Sequence, residues 1–442
     1  MDKLKKSAVL LFGLINLAVI FFLWGKNAAI FGSWNNFSQI LIAFGRLSGL
    51  LAAFFILTQL ILIGRVGWAE KVFGLDKLSR VHHLNGFFAL AFILLHPVFL
   101  GFGYGSLTGN SYIEQMLVFL NGWEDMSGAF LSAGIFAGAM IFSLAIIRKK
   151  LKYESWLFTH LFVYIAVIAA IGHQFAVGSD LGTRTFYLYF AGLYAFAFLN
   201  FFLFRFGRPL FNFYRHGFYV KDVRPETDNS TSIRISGKNM EQFKVWPGQF
   251  MIFRFMDWSY MLEAHPFSLS GRAANYDIRI TIKMSGDFTS KVRDIKPGTP
   301  VLIDGPHGVF TEKAVKKEKA LLIAGGVGIT PIRTLAEAML KKGRDIALLY
   351  NNRTKKDIIF KEELEKISGL GSMKLVHILS AEKNWKGEQG RIDAEKISRL
   401  VPDFRDRDIF LCGPPPMMES IKKELKGAGY DLKYLHYEKF SL

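Results

Sequence analysis

Leu78-Ser-Arg-Val-His82-His83-Leu-Asn-Gly-Phe-Phe-Ala-Leu-Ala-Phe-Ile-Leu-Leu-His96-Pro97 is an apolar run of bilayer length with a histidine near each end. Ionisable side chains inside a bilayer are costly and are kept for a function. On a helix, positions fourteen apart lie within about 40° in azimuth and roughly 21 Å apart along the axis. His82 and His96 are therefore spaced to grip two objects stacked through a membrane. The alternative for this segment alone is a pair of polar helix ends at the interface.

Working outward, the 442 residues split in character. Up to about Phe206 the chain is a succession of runs rich in Phe, Leu, Ile and Gly; beyond it come charges, prolines and alternating strands. The first half reads as membrane and the second as soluble α/β protein. The formal charge of +18 is large, but no basic stretch is interleaved with base-stacking aromatics, so nucleic acid is excluded as a partner. The excess suits an anionic inner leaflet or an anionic cofactor. One cysteine, Cys412, forbids an intramolecular disulfide and fits a reducing cytoplasm.

Six stretches are long enough to span: about Ala8 to Trp24, Ser38 to Ile63, Val81 to Phe102, Gly128 to Ile147, Ser155 to Ala176 and Thr185 to Phe204. The first resembles a signal peptide but lacks a small-x-small cleavage site, so it reads as retained. Basic residues gather before span one (Lys3, Lys5, Lys6), after span two (Arg65, Lys71, Lys77, Arg80) and after span four (Arg148, Lys149, Lys150, Lys152). The loop around Tyr112 to Ser127 has Glu114, Glu124 and Asp125 and no basic residue. Both termini are thus expected in the cytoplasm, with spans three and five running outward.

Span five carries His160 and His173. With parallel spans, His82 meets His160 near the inner face and His96 meets His173 near the outer face. Two cross-helix pairs of neutral imidazoles are what two bis-histidine haems require. His160 and His173 are thirteen apart, about 140° in azimuth, so span five must bend or the ring planes must differ. His83, thirteen before His96, is the alternative inner ligand. Arg46, in the outer part of span two, wants an anion; the choices are the outer haem's propionates or snorkelling to headgroups.

After a cluster of Arg205, Arg208 and Arg215, short strands with turn signals predict an antiparallel barrel over 217–315; from about 316 strands alternate with helices, as in a doubly wound parallel sheet. The haem-type domain is placed at 1–206 and a linker at 207–216. Leu321 to Ile332 is a buried strand breaking into Gly325, Gly326 and Gly328 before a helix with Thr330 and Pro331, a shape suited to a pyrophosphate. The next strand ends at Arg353, where an arginine rather than an acid favours the 2′-phosphate of NADPH; the alternative is a solvated basic loop. His265, Pro266, Phe267 and Ser268, with Thr281, Lys283, Gly286 and Thr289, supply aromatic edges, hydroxyls, a cation and a second glycine turn, which suit FAD.

Together these residues resemble the ferric reductase and NADPH oxidase superfamily, a six-helix di-haem domain fused to a ferredoxin-reductase-like module. Val81-His82 through His96, Tyr153 to His160 through His173, His265-Pro-Phe-Ser268 and Gly286-Asp-Phe-Thr289 carry the resemblance. It implies FAD, two haem b and NADPH as cofactors, with His82, His96, His160 and His173 as iron ligands. It also implies nicotinamide-side roles for Arg391 and for Cys412-Gly413-Pro414, a flavin-stacking Phe440, and an Arg46 beside the outer haem. The implied activity is transmembrane electron transfer to O2 or a ferric chelate, in the plasma membrane, with no protein partner required. One turn after His96, where the oxidases place a further histidine, this chain has Leu100.

Overall fold

The structure is a computed structural model describing residues 2–30, 32, 34, 36–143, 153–261, 263–272, 275–369 and 371–438. Phe440 and the basic cluster Arg148, Lys149, Lys150 and Lys152 lie outside the described residues. Two compact units form: residues 1–72 with 77–203, and residues 73–76 with 204–442.

The first unit is helical. Its main helices are α1 (Asp2–Ile30), α2 (Phe37–Ile63), a short α3 (Gly67–Phe73), α4 (Leu75–Thr108), α5 (Tyr112–Gly122), α6 (Met126–Ser143), α7 (Tyr153–Ala176) and α8 (Arg184–Phe202). Among the described residues, six helical stretches are long and apolar enough to cross a membrane. Their apolar residues face outward as well as inward; Phe22 and Ile168 are 71% and 66% exposed, as expected of side chains solvated by lipid. α2 is the most buried span. Buried polar side chains tie it to α1, where Trp24 Nε1 donates to the Ala43 carbonyl at 2.9 Å. The acidic loop folds as α5, started by a capping box in which Ser111 and Glu114 satisfy each other's backbone amides.

The second unit begins with α9 (Arg208–His216) and holds two sheets. An antiparallel sheet orders β1 (Tyr219–Thr227), β2 (Ser230–Ser236), β5 (Ile278–Lys283), β4 (His265–Arg272), β3 (Phe250–Phe255) and β6 (Val301–His307). Val301 N donates to Phe218 O at 2.9 Å, and Tyr219 pairs with Pro300, so the first and last strands meet and the sheet closes as a barrel. Period-two alternation turns Ile278, Ile280 and Ile282 into the barrel core and Arg279, Thr281 and Lys283 to the other face.

The second sheet is parallel, in the order β10 (Glu388–Gln389), β9 (Met373–Leu379), β8 (Asp345–Asn352), β7 (Lys319–Gly325), β11 (Arg407–Cys412) and β12 (Leu435–Tyr437). On β7, Ala320, Leu322 and Ala324 pack in one core while Leu321 and Ile323 pack in another, so both faces are covered. From β7 the chain steps outward one way through β8 to β10, then returns to β11 on the other side. The gap between the ends of β7 and β11 is the topological switch point, where open α/β sheets bind ligands.

Candidate active site

Within the helical unit, the four histidines form two pairs. The ring centres of His82 and His160 are 6.3 Å apart, and those of His96 and His173 are 6.5 Å apart. With a metal–nitrogen bond of about 2 Å and roughly 1.2 Å from nitrogen to ring centre, two imidazoles held on opposite sides of one metal ion would put their centres about 6.4 Å apart. The donor set therefore fits an iron between each pair. No group of three metal-ligating side chains occurs among the described residues.

The backbone around each histidine explains the placement. α2 offers Gly45 and Gly49, one turn apart, to the His96 ring. His96 Nδ1 donates to the Gly45 carbonyl at 2.7 Å, which leaves Nε2 to bind metal. A Cβ on Gly49 would come within 2.7 Å of that ring. His160 stacks on Trp156 at 5.2 Å, and its Nδ1 lies 3.5 Å from Ser143 Oγ. The buried Nδ1 of His82 has no hydrogen-bond partner among the described residues. His83 is turned away, exposed and set edge-on against Phe87 at 5.3 Å. α7 is one unbroken helix, so the thirteen-residue spacing is absorbed by ring orientation: the inner pair is tilted by 73° and the outer pair by 45°.

Beside the outer pair lies a cavity of ≈ 360 Å³. His96, Leu100, His173, Arg46 and the inward face of α5, with Tyr112, Met116 and Phe119, line it. Arg46, expected from the sequence to meet an anion, has one in the wall of this cavity. Its anion is a protein carboxylate: Nε and Nη2 donate to Asp180 Oδ2 and Oδ1 at 2.7 and 2.5 Å. A planar guanidinium edge matches a carboxylate in this bidentate way. Asn27 Nδ2 adds a bond to Asp180 Oδ1 at 3.0 Å. Asp180 escaped notice in the sequence, although it is the single acid in the short stretch between spans five and six.

In the second unit His265, Phe267 and Phe288 make a near-parallel ring stack, with His265 4.0 Å from Phe288. The His265-Pro266-Phe267-Ser268 strand and the Gly286 turn are thereby brought together. Ser268 Oγ is buried with no hydrogen-bond partner among the described residues, a hydroxyl suited to a ligand edge. Thr281 is committed elsewhere: its hydroxyl is shared with Ser232 and Ser270 at 2.7 and 2.8 Å, all three buried. Thr289 closes its own turn by accepting from the Ser285 and Gly286 amides, both at 2.9 Å. Lys283 lies beside Asp357.

At the switch point the glycines have a packing reason as well as a ligand one. A Cβ on Gly328 would strike the Cys412 carbonyl, and one on Gly413 would come 3.2 Å from Gly325 Cα. Gly326 takes φ +53, a left-handed conformation easy for glycine. Thr330 caps back to the Val327 carbonyl at 2.9 Å, Pro331 lies in the first turn of the following helix α11 (Ile329–Leu340), and Pro414 precedes Pro415, the first residue of a later helix. Arg353 and Arg391 are both exposed, and Asn351 Nδ2, bonded to the Gly390 carbonyl at 3.3 Å, brings their segments to one edge. Cys412 is fully buried. Burial pushes its thiol well above the usual value, with the Glu438 carboxylate adding to the effect. Glu438 packs over Gly308 and was not foreseen from the sequence.

Comparison with known proteins agrees with this division. Residues 48–171 match the family described as ferric reductase like transmembrane component, residues 216–311 an FAD-binding domain, and residues 322–423 an oxidoreductase NAD-binding domain. Among curated proteins, the chain is 31% identical over 204 residues to the glycine betaine monooxygenase reductase subunit of Pseudomonas aeruginosa, covering 44% of this chain and 56% of that one. It is 33% identical over 172 residues to NADH-cytochrome b5 reductase 1 of Debaryomyces hansenii, covering 37% and 61%. It therefore spans little more than half the length of these relatives. Among solved structures, the cytochrome b5 reductase domain of Ulva prolifera nitrate reductase aligns at 22% identity and TM-score 0.45, over 51% of this chain and 98% of that one. The protein is thus a multi-pass membrane protein with a ferric-reductase-like helical domain followed by FAD- and NAD-binding domains. This is the architecture of the ferric reductase and NADPH oxidase superfamily.

Proposed function

We propose that the protein carries electrons from cytosolic NADPH, by way of FAD and two b-type haems, to O2 at the outer face of the plasma membrane, yielding superoxide. Bound FAD supplies the conversion of a hydride into single electrons, and bound haem supplies a fixed path for them. The observation that carries the reading is the pair of imidazole pairs at 6.3 and 6.5 Å. The residues do the rest. His82 and His160 hold the inner site and His96 and His173 the outer one. Gly45 fixes the His96 tautomer. Ser268 and the His265, Phe267 and Phe288 stack hold the flavin ring, and the exposed Arg353 and Arg391 take the 2′-phosphate of NADPH. A relative named for NADH makes that last preference a point to test. The lysine and arginine distribution supports a cytoplasmic side for the termini and the reductase half.

A second reading, ferric-chelate reduction, is favoured by Leu100, an apolar residue lining the outer cavity where the oxidases place a histidine. A reduced-minus-oxidised spectrum of the purified protein tests the core: without a low-spin b-type signal the reading falls. His96→Leu and His173→Leu should each lose one haem of two; two haems retained in both variants overturns the pairing. NADPH-driven cytochrome c reduction that superoxide dismutase does not inhibit counts against the oxygen reading, and a ferric-chelate assay run beside it tests the alternative.

A further inference from the structure

We propose that Asp180 sets the acceptor class of the outer cavity: by cancelling the charge of Arg46, it leaves a cavity that admits a small neutral acceptor and turns away anionic ferric chelates. The inference rests on the reading above that acceptors are reduced at the outer histidine pair. Asp180 occupies a 3₁₀ turn (Ser179–Gly182) between α7 and α8, and its own turn helps to wall the cavity. Among the described residues lining the cavity, Arg46 is the one fixed cation and Asp180 the one carboxylate.

The two side chains are only 10% and 4% exposed, and they face each other through both carboxylate oxygens. Asn27, from α1, holds Oδ1 from a further direction and donates to the Asp180 carbonyl at 3.2 Å. The pair is thus built and buried. An anion entering an apolar, low-dielectric cavity needs a counter-charge. The cation that could serve is already matched, so a polyanionic chelate meets a neutral wall with nothing to offset its desolvation. O2 carries no charge and incurs no such cost.

The test uses the full-length, haem- and FAD-loaded protein with ferric citrate as the anionic probe. Asp180→Asn, Arg46→Gln and the double variant are compared by KM for ferric citrate and by redox titration of the haems. At an effective dielectric of about 20, one uncompensated charge on the order of 8 Å from the acceptor changes occupancy roughly thirty-fold. Asp180→Asn should lower the KM for ferric citrate by about that factor and raise the potential of one haem. Arg46→Gln should raise the KM and lower the potential. The double variant should bring both back towards wild type.

Shifts of the same sign in both single variants, or no shift in Asp180→Asn, overturn the proposal. Where Asp180→Asn does not fold, Arg46→Gln against the double variant gives the same contrast, and recovery in the double variant is required. A wild type that makes no superoxide while the variants shift in opposite directions refutes the oxygen reading and leaves the role of Asp180 standing. A superoxide-forming wild type with unmoved variants refutes the role of Asp180 alone.

Discussion

Glu363 is a single carboxylate held by two arginines across the junction of the two sheets, and neutralising it should loosen that junction. It lies on α12 (Lys361–Gly369), reached from the parallel sheet. Arg279, on the outward face of β5, donates to its Oε1 and Oε2 at 2.6 and 2.8 Å, and Arg333, on α11, donates to Oε2 at 2.7 Å. Both guanidiniums also reach the Ser270 carbonyl, at 3.2 and 3.0 Å. Glu363→Gln leaves two largely buried cations, 16% and 12% exposed, facing one another, with only the looser carboxylates of Glu226 at 4.0 Å from Arg279 and Glu337 at 3.4 Å from Arg333 to offset them. Breaking a fully buried pair costs about 3–5 kcal/mol. The Glu363 side chain is 37% exposed, so solvent screening reduces this to about 2 kcal/mol. For a unit of this size that corresponds to roughly 4–8 °C in midpoint.

Flavin fluorescence during heating of the detergent-solubilised protein reads the loss directly. The sign of the pH dependence follows from the same contacts. Burial pushes the Glu363 carboxyl up, but the hydrogen bonds and charges of Arg279 and Arg333 together bring it below the ordinary value. A depressed carboxylate stabilises fully above its unfolded pKa of about 4.3 and ceases to do so as pH falls through the lower folded value. The wild-type advantage over Glu363→Gln should therefore be constant near neutrality and vanish only below about pH 4.3. Equal midpoints of the two proteins at pH 7, or a gap that widens on acidification, would refute the reasoning.

Three further outcomes are expected. Arg353→Glu should move nucleotide preference towards NADH, read as the ratio of kcat/KM for the two donors; an unchanged ratio removes Arg353 from 2′-phosphate recognition. Gly328→Ala places a Cβ against the Cys412 carbonyl and within 2.6 and 2.8 Å of Cys412 C and Gly413 N, backbone that cannot swing aside. It should cost about 1–3 kcal/mol in urea denaturation followed by tyrosine and tryptophan fluorescence. Cys412, buried and with its thiol shifted up, should resist iodoacetamide in the native protein at pH 8 and be labelled fully in denaturant; rapid native labelling would contradict its burial.

What could be read in advance follows from where the information is local. The spans, the histidine spacing and the alternation in β5 are periodic, so position in the chain fixes direction in space. Thus His82 rather than His83 faces His160, because fourteen residues return a helix to nearly the same azimuth. The same logic failed wherever a partner comes from far away in sequence. Arg46 was rightly expected to need an anion, but Asp180 lies 134 residues on; no periodicity links them, and only the packing of α2 against the turn after α7 brings them together. Glu363 sits 84 residues from Arg279 for a similar reason. Thr281 shows the converse. Its face was legible from alternation, yet its hydroxyl is consumed by Ser232 and Ser270, residues whose neighbourhood is set by the strand order β2-β5-β4 rather than by chain order. Residue type and period thus reveal what a side chain needs, and topology decides which atom supplies it. At the outer cavity that distinction matters most: a lone arginine invites an anionic ligand, whereas an arginine already closed on Asp180 favours a neutral one.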